Sequence, residues 1–315
     1  MLHQFQNWRM QINATTPVER LITDPLAGRR CLPDPVQGMR QLAAGMSVEQ
    51  VESAMLALPQ ADAPVVHRFG PGIYIREVSI PAGVLAIGHA QRMEHMNVML
   101  KGRVTMLNDN GTTTELVAPM VFVGKPGRKI GYVHEDMVWQ NIYATNETDI
   151  EKLEATYLEK SDAWQQDQKL RTSVSALQID VDRADYRAML EEVGIAHEVA
   201  RAQSENESDQ VPMPMGSYAM MVADSQIEGK GVFATATIAA GTVIAPARIG
   251  GMRTPAGRFT NHSAMPNAVM VQRPGGDIDL VATRQIAGCT GGQPGEEITI
   301  DYRQALRLSG IRSLK

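Results

Sequence analysis

The stretch Arg258-Phe259-Thr260-Asn261-His262-Ser263-Ala264-Met265-Pro266-Asn267, followed by Gly295-Glu296-Glu297-Ile298-Thr299-Ile300-Asp301-Tyr302, decides how this chain of 315 residues is read. Ile298-Thr299-Ile300 is a β-type run ended by a tyrosine, and Glu296 and Glu297 read as shaping the turn that enters it. Upstream, Ile227-Glu228-Gly229-Lys230-Gly231-Val232-Phe233-Ala234 sets a glycine pair between apolar β-type segments. Such a pair lets a backbone approach a ligand closely, and it serves a plain turn equally well. Asn261-His262-Ser263 is equally open, because Asn and His cap turns or fill cores with their hydrogen bonds satisfied. Taken singly, each element is ambiguous.

Taken in order, the three resemble the signature of SET-domain protein-lysine methyltransferases, over Tyr218 to Tyr302. The resemblance implies a compact SET β-fold over residues 215–315, with a pseudoknot in which the chain's last portion crosses the loop after Asn261. It also implies that S-adenosylmethionine lies against Gly229-Lys230-Gly231 and is held by Arg258, Phe259, Asn261 and His262, with Tyr302 as the catalytic residue. The implied partner is a protein substrate lysine. Ala264 stands where many members of the family have cysteine, so no zinc-bearing lid is implied. Only about sixteen residues separate Gly241 from Arg258, where the family inserts a longer wall of the substrate groove. The acidic middle of the chain, the N-terminal module or a neighbouring subunit is then expected to supply that wall.

The middle is acidic in fact: residues 149–209 hold 15 acidic and 7 basic side chains, against 7 and 10 in residues 211–315. Ile150, Leu153, Tyr157 and Leu158 fall near helical spacing, as do Tyr186, Met189, Leu190 and Val193, with Gly194 breaking the second pattern. The tract from Gln203 to Pro214 has the composition of a flexible connector. Residues 147–214 are therefore expected to form a helical linker.

Residues 1–63 read as a helical or irregular arm in which Ser47-Val48-Glu49-Gln50 begins a helix as a capping box, a side-chain oxygen and a glutamate satisfying free amides reciprocally. From Val65 to Ala144 short β-type runs alternate with turns, and Asn108-Asp109-Asn110-Gly111 is a strong hairpin signal. Many short strands at this spacing predict a sandwich or barrel over residues 64–146.

Within that module, Gly83, His89, Gln91, His95 and Gly102, then Pro126-Gly127, His134 and Asn141, resemble the two motifs of the cupin barrel. Gln91 replaces the second histidine of the first motif and His95 replaces its carboxylate. Two uses of the imidazoles stay open. His89, His95 and His134 could converge on a divalent metal with Gln91 as a weak fourth ligand, or they form a hydrogen-bonded, metal-free pocket, which the departures favour. The resemblance further implies a homo-oligomer, and the fusion is similar to architectures encoded by bacteriophages and bacteria.

The fold class expected is thus mainly β: a cupin-like barrel, an acidic helical connector and a compact SET module. A net charge of −5 argues against nucleic acid on a broad basic face. Two cysteines, Cys31 and Cys289, provide no disulfide framework and no zinc cluster. No window reaches eighteen apolar residues, so no membrane partner is expected and a cytoplasmic protein is, in a host cytoplasm or virion if phage-encoded. The leading functional expectation is a lysine methyltransferase whose barrel provides oligomerisation or target binding. The alternatives are a structural or assembly protein, for example of a phage particle, with a degenerate SET module, and a metal-dependent cupin enzyme acting on a small molecule.

Overall fold

The computed structural model describes residues 34–172 and 176–308; Cys31 and the basic residues Arg312 and Lys315 lie outside them. Helices α1 (Pro35–Gly45) and α2 (Val48–Leu56) open the described chain. Ser47 does cap α2 in a reciprocal box, but its partner is Gln50 rather than a glutamate, because the residue that reaches back is the one three positions on.

Strands β1 (Val65–Gly70), β2 (Ile73–Ile80), β3 (Leu85–Ile87), β4 (Ala90–Gln91), β5 (His95–Leu107), β6 (Thr113–Val117), β7 (Met120–Gly124) and β8 (Ile130–Ala144) follow. β5 runs unbroken for 13 residues. It shifts register against β8 around Gly102, whose φ is 96° and whose missing side chain admits the backbone of Glu135 and Asp136. This bend lets β5 and β8 serve both halves of the sheet. The hairpin at 108–112 joins β5 to β6 as its turn residues demand. Inward-facing Met99, Val104, Val133, Met137 and Trp139 form one apolar cluster of this module.

The connector is helical: α3 (Ile150–Tyr157), then β9 (Leu158–Glu159) pairing with β4, then α4 (Asp162–Thr172), α5 (Ala176–Val193) and α6 (His197–Glu205). Gly194, at φ 67°, ends α5. Among the described residues no helix is long and apolar enough to cross a membrane.

The chain then forms β10 (Gly216–Tyr218), β11 (Met220–Asp224), β12 (Lys230–Ala234), β13 (Val243–Ile249), β14 (Met252–Arg253), α7 (Pro255–Phe259), β15 (Asn261–His262), β16 (Ala268–Gln272), β17 (Ile278–Ala282), β18 (Glu297–Ile300) and α8 (Tyr302–Leu308). One four-stranded sheet runs β11-β12-β18-β15 and another β14-β13-β17-β16. The last strand thus lies between β12 and β15, antiparallel to the first and parallel to the second. The loop leaving His262 is laced onto it: Ser263 N donates to Ile300 O, and the Asn267 amide bonds Glu297 O and Thr299 N.

The two modules are sewn together. β10 pairs with β1, setting Tyr218 opposite His67, and only Ala219 separates it from β11 in the other sheet. Val65 N donates to Thr235 O and the Thr235 hydroxyl donates back to Val65 O at 2.7 Å. Phe69, Tyr74, Tyr143 and Tyr157 stack in sequence at centroid distances of 5.4, 5.7 and 4.1 Å. Their cluster continues through Leu153 and Tyr218 into Met220, Val232 and Ile298 without a break. The tract expected to connect flexibly is also tied down: Arg253 grips the Asp209 carboxylate through two nitrogens, at 2.9 and 2.8 Å, and Val211 N donates to Arg253 O.

Because Leu153, 1 % exposed, is shared by both halves of the core, Leu153→Ala is expected to cost about 2–5 kcal/mol and to lower the whole urea transition rather than split it. Unfolding curves followed by circular dichroism check this.

Candidate functional site

The C-terminal module holds a pocket of about 590 Å³. Gly229 stands at its edge with φ 50°, and a side chain there would occupy open space, so the backbone of the glycine pair is presented bare. Gly231 lies behind, where a Cβ would collide with Glu297 and Ser225. Lys230 turns away: its ammonium bonds Glu151 and Asp224, and only its carbonyl faces the site.

Asn261 and His262 are buried on β15. The Asn261 amide donates to Lys230 O at 3.0 Å, Glu228 O at 3.2 Å and Glu297 Oε1 at 2.8 Å, and so fixes the glycine turn against the last strand. Glu297 also accepts from the Ser225 hydroxyl, and burial raises its pKa. The sequence reads it as a turn former; the structure sets it under the site, because β18 is an inner strand of its sheet. His262 Nδ1 accepts from Tyr302 N at 3.2 Å, which leaves the proton on Nε2 for Asp185 at 2.9 Å. Arg258 lies over the Phe259 ring at 4.7 Å and donates to Gln210, so the pair forms the rim.

Tyr302 begins α8, and its hydroxyl donates to Thr260 O at 3.0 Å. Burial pushes this phenol well above its ordinary pKa, so it stays neutral and cannot serve as a base near pH 7. With its proton engaged by a carbonyl, its oxygen presents lone pairs.

The wall missing from the short segment before Arg258 comes from the connector. Tyr186 of α5 meets the Tyr302 ring edge-on at 5.8 Å, and Met189, Leu190, Ile195 and His197 complete that side. Arg303 holds α5 there through Asp185 at 2.8 Å and Glu192 at 2.8 Å, while Asp182 accepts from the Ser263 hydroxyl and Ala264 N. Sequence reasoning missed Tyr186, Asp185, Asp182, Thr260 and Glu297 as site residues. The one available signal was the arginine immediately after Tyr302 facing an acidic helix.

Residues 248–303 match the SET domain family. A SET domain points in general to the protein methyltransferases. No curated protein matches the chain. Among solved structures, part of the N-terminal region is similar to cupin domains. The cupin domain of Cnp3 from Schizosaccharomyces pombe is 17% identical, with 29% of this chain and 72% of that one covered and a TM-score of 0.23. A cupin domain from Bordetella pertussis is 16% identical, with 28% and 99% covered and a TM-score of 0.24. Ethanolamine utilization protein q from Salmonella typhimurium is 10% identical, with a TM-score of 0.21; 24% of this chain is covered, and the match spans 59% of that protein's length.

Of the two uses left open for the imidazoles of the cupin-like module, the structure does not bring His89, His95 and His134 together as a metal centre would require. Among the described residues no group of three His, Cys, Asp or Glu side chains is placed to hold a metal ion. His95 bonds Met93 O and Asn141. His134 follows inward-facing Val133 on β8, so strand alternation turns it to the other face, where it bonds Thr105 at 2.7 Å. His89 meets the edge of Trp164 at 4.8 Å in the loop before β4. Gln91 accepts from the Tyr143 hydroxyl.

Burial lowers the pKa of His67 to about 4 and of His89 to about 3. Unfolding returns both to about 6.5, so the stability they contribute is complete above that pH and is lost as pH falls through the folded values. Thermal unfolding temperature is expected to decline from pH 6.5 towards 4, and His67→Gln is expected to make the decline shallower; melts across that range check it.

Proposed function

We propose that the SET module is an S-adenosylmethionine-dependent protein-lysine N-methyltransferase and that the cupin-like module provides oligomerisation or target binding. The observation that carries this reading is one pocket shared by the bare glycine turn, the Asn261-His262 pair and the Tyr302 hydroxyl. The residues present fit the cofactor: Gly229 offers uncovered backbone, Arg258 and Phe259 offer a flat cationic and aromatic rim, and the volume of about 590 Å³ suits a nucleoside. When bound, S-adenosylmethionine supplies an electrophilic methyl on sulfonium.

The chain's own residues then prepare the nucleophile. A lysine amine attacks only when neutral, and removing its proton at pH 7 costs about 4–5 kcal/mol in water. The half-buried rings of Tyr186 and Tyr302 line an entry that strips water from the ammonium and so lowers this cost. The proton leaves to solvent before attack, and the neutral amine would then take the methyl group as its bond to sulfur is given up. Tyr302, neutral and anchored on Thr260 O, orients the amine through its lone pairs, and Asn261 keeps the glycine turn in place. Tyr302→Phe is expected to cut methyl transfer by roughly a hundredfold with cofactor binding retained, whereas Asn261→Ala weakens binding itself. Calorimetry with S-adenosylmethionine and methyl labelling of a matched lysate separate the two. Labelling by Tyr302→Phe at the unsubstituted rate refutes the assignment.

Pairing with a second copy is supported by the outer face of the N-terminal sheet, where Met96, Leu100, Val117, Val121 and Val123 are exposed and Met96 sits opposite Val123 across the strands. Light scattering should report a multiple of 34.4 kDa that falls when Val121→Lys and Val123→Glu are combined. A monomeric unsubstituted protein would sink the pairing.

A further inference from the structure

The second cavity lies inside the N-terminal module and has a volume of about 680 Å³, within the range of small-molecule sites. Its walls are mostly apolar, including Val78, Ile80, Met106 and Trp139. It is not closed by the β-sheet alone. α2 covers one side, Trp164 of α4 another, and Gly291 and Gly292 of the SET module reach across to it. Gly291 N is fixed to Ala61 O at 2.8 Å, and a Cβ on Gly292 would touch Trp164 Nε1. Three segments distant in sequence therefore border a space that none of them fills.

Into this apolar space the chain places more positive charge than it answers. Arg76 projects from β2 to the cavity wall and is largely buried. Its Nε is enclosed without a hydrogen-bond partner. The nearest carboxylate, Glu154, stands at 3.5 Å from that nitrogen but bonds Lys160 at 2.7 Å. Burial alone would raise the Glu154 pKa, yet Lys160 and Arg76 together hold it down at about 2, so it is ionised and already shared between two cations. Glu52, at the α2 side, is paired with Arg128. Lys129 also lines the cavity, lying over the Trp139 ring at 6.0 Å, and has no carboxylate partner among the described residues. Its pKa is lowered by burial, as an uncompensated ammonium requires. His89, held neutral, adds no charge. Of the charged side chains that line the cavity, Arg76 and Lys129 are cations, and the carboxylate among them, Glu52, is engaged by Arg128. A buried ammonium such as Lys129 is costly unless an anion meets it, and a guanidinium that shares its carboxylate with Lys160 and keeps an unpartnered Nε has a donor left for a second carboxylate. The Trp164 indole N–H, also buried without a partner, belongs to another residue that lines the cavity.

We propose that this cavity binds a small organic carboxylate with an apolar body, anchored on the Arg76 guanidinium and closed in by Trp164 and the Gly291-Gly292 segment of the SET module. The site takes the interior of the cupin-like module for anion recognition through arginine, without a metal ion. Inorganic phosphate fits poorly, since it has no apolar body to match walls that are mostly apolar.

The test is tryptophan fluorescence of the full chain titrated with benzoate and with hexanoate, because Trp139 and Trp164 both line the cavity. Hexan-1-ol and phosphate serve as comparisons. Saturable quenching by at least one carboxylate is expected, with hexan-1-ol and phosphate ineffective over the same range. Arg76→Met should weaken it at least about tenfold. Should loss of the Glu154 partner unfold that variant, Arg76→Lys and Lys129→Met carry the test. The first keeps the charge without the fork and the second keeps the shape without the charge, and each should weaken binding several-fold while the melting temperature without ligand stays close to that of the unsubstituted chain. No saturable response to either carboxylate up to about 10 mM, a response to hexan-1-ol equal to that to hexanoate, saturation by phosphate alone, or binding unaltered in the folded variants would each overturn the proposal.

Discussion

A single residue, Ala219, separates a strand of one sheet from a strand of the other, and the structure is organised by that shortness. Tyr218 is paired with His67 in the N-terminal sheet while Met220 is paired with Ala234 in the C-terminal one. With so little chain between them the sheets cannot separate, and the hydrogen bonds between Val65 and Thr235 close the seam from the other side. The apolar side chains at the seam have nowhere to go but into a common core, which α3 completes with Ile150, Leu153 and Tyr157. Burial of this shared surface gives the seam its strength, since it is non-directional and grows with the apolar area removed from water.

The same seam explains why the acidic connector is more than a spacer. Once the modules are fixed, the connector must fold back over them, and its carboxylates meet individual partners: Glu154 with Lys160 and Arg76, Glu151 with Lys230, Asp185 and Glu192 with Arg303, and Asp209 with Arg253. Exposed pairs of this kind contribute little each. Their effect here is positional, because Arg303 follows Tyr302 directly and any helix it holds becomes part of the pocket. A helix from the middle of the chain therefore supplies the wall that the short segment before Arg258 cannot form.

The two cavities differ in how their polar groups are satisfied. Around Tyr302 nearly every polar atom has a partner: the phenol has Thr260 O, His262 has Tyr302 N and Asp185, and Asn261 has two carbonyls and Glu297. Such a network holds a fixed geometry, as group transfer needs. In the N-terminal cavity the partners are incomplete, and Arg76 Nε, Trp164 Nε1 and Glu52 Oε2 are buried without one. One cavity is built to orient; the other carries unanswered hydrogen-bonding groups and charge.

Much was legible in the sequence, because some residues act through their neighbours along the chain. The turn at 108–111, the cap at Ser47, the helical spacing of Ile150, Leu153 and Tyr157, and the break at Gly194 follow from local backbone preference and periodicity. The order of the glycine pair, Asn261-His262 and Tyr302 likewise pointed to a SET module, and they line or back one pocket. The histidines of the first module could not be read that way, since which face each occupies depends on strand parity and on a register shift near Gly102 that spacing alone does not reveal. Nor could Tyr186, Arg76 or Trp164 be assigned, because a side chain's role there is set by what the fold brings against it from more than a hundred residues away, as Tyr302 is brought to Tyr186 and Gly292 to Trp164. Local chemistry is written along the chain; the enclosure that gives a buried charge or an aromatic wall its meaning exists only after distant segments have packed.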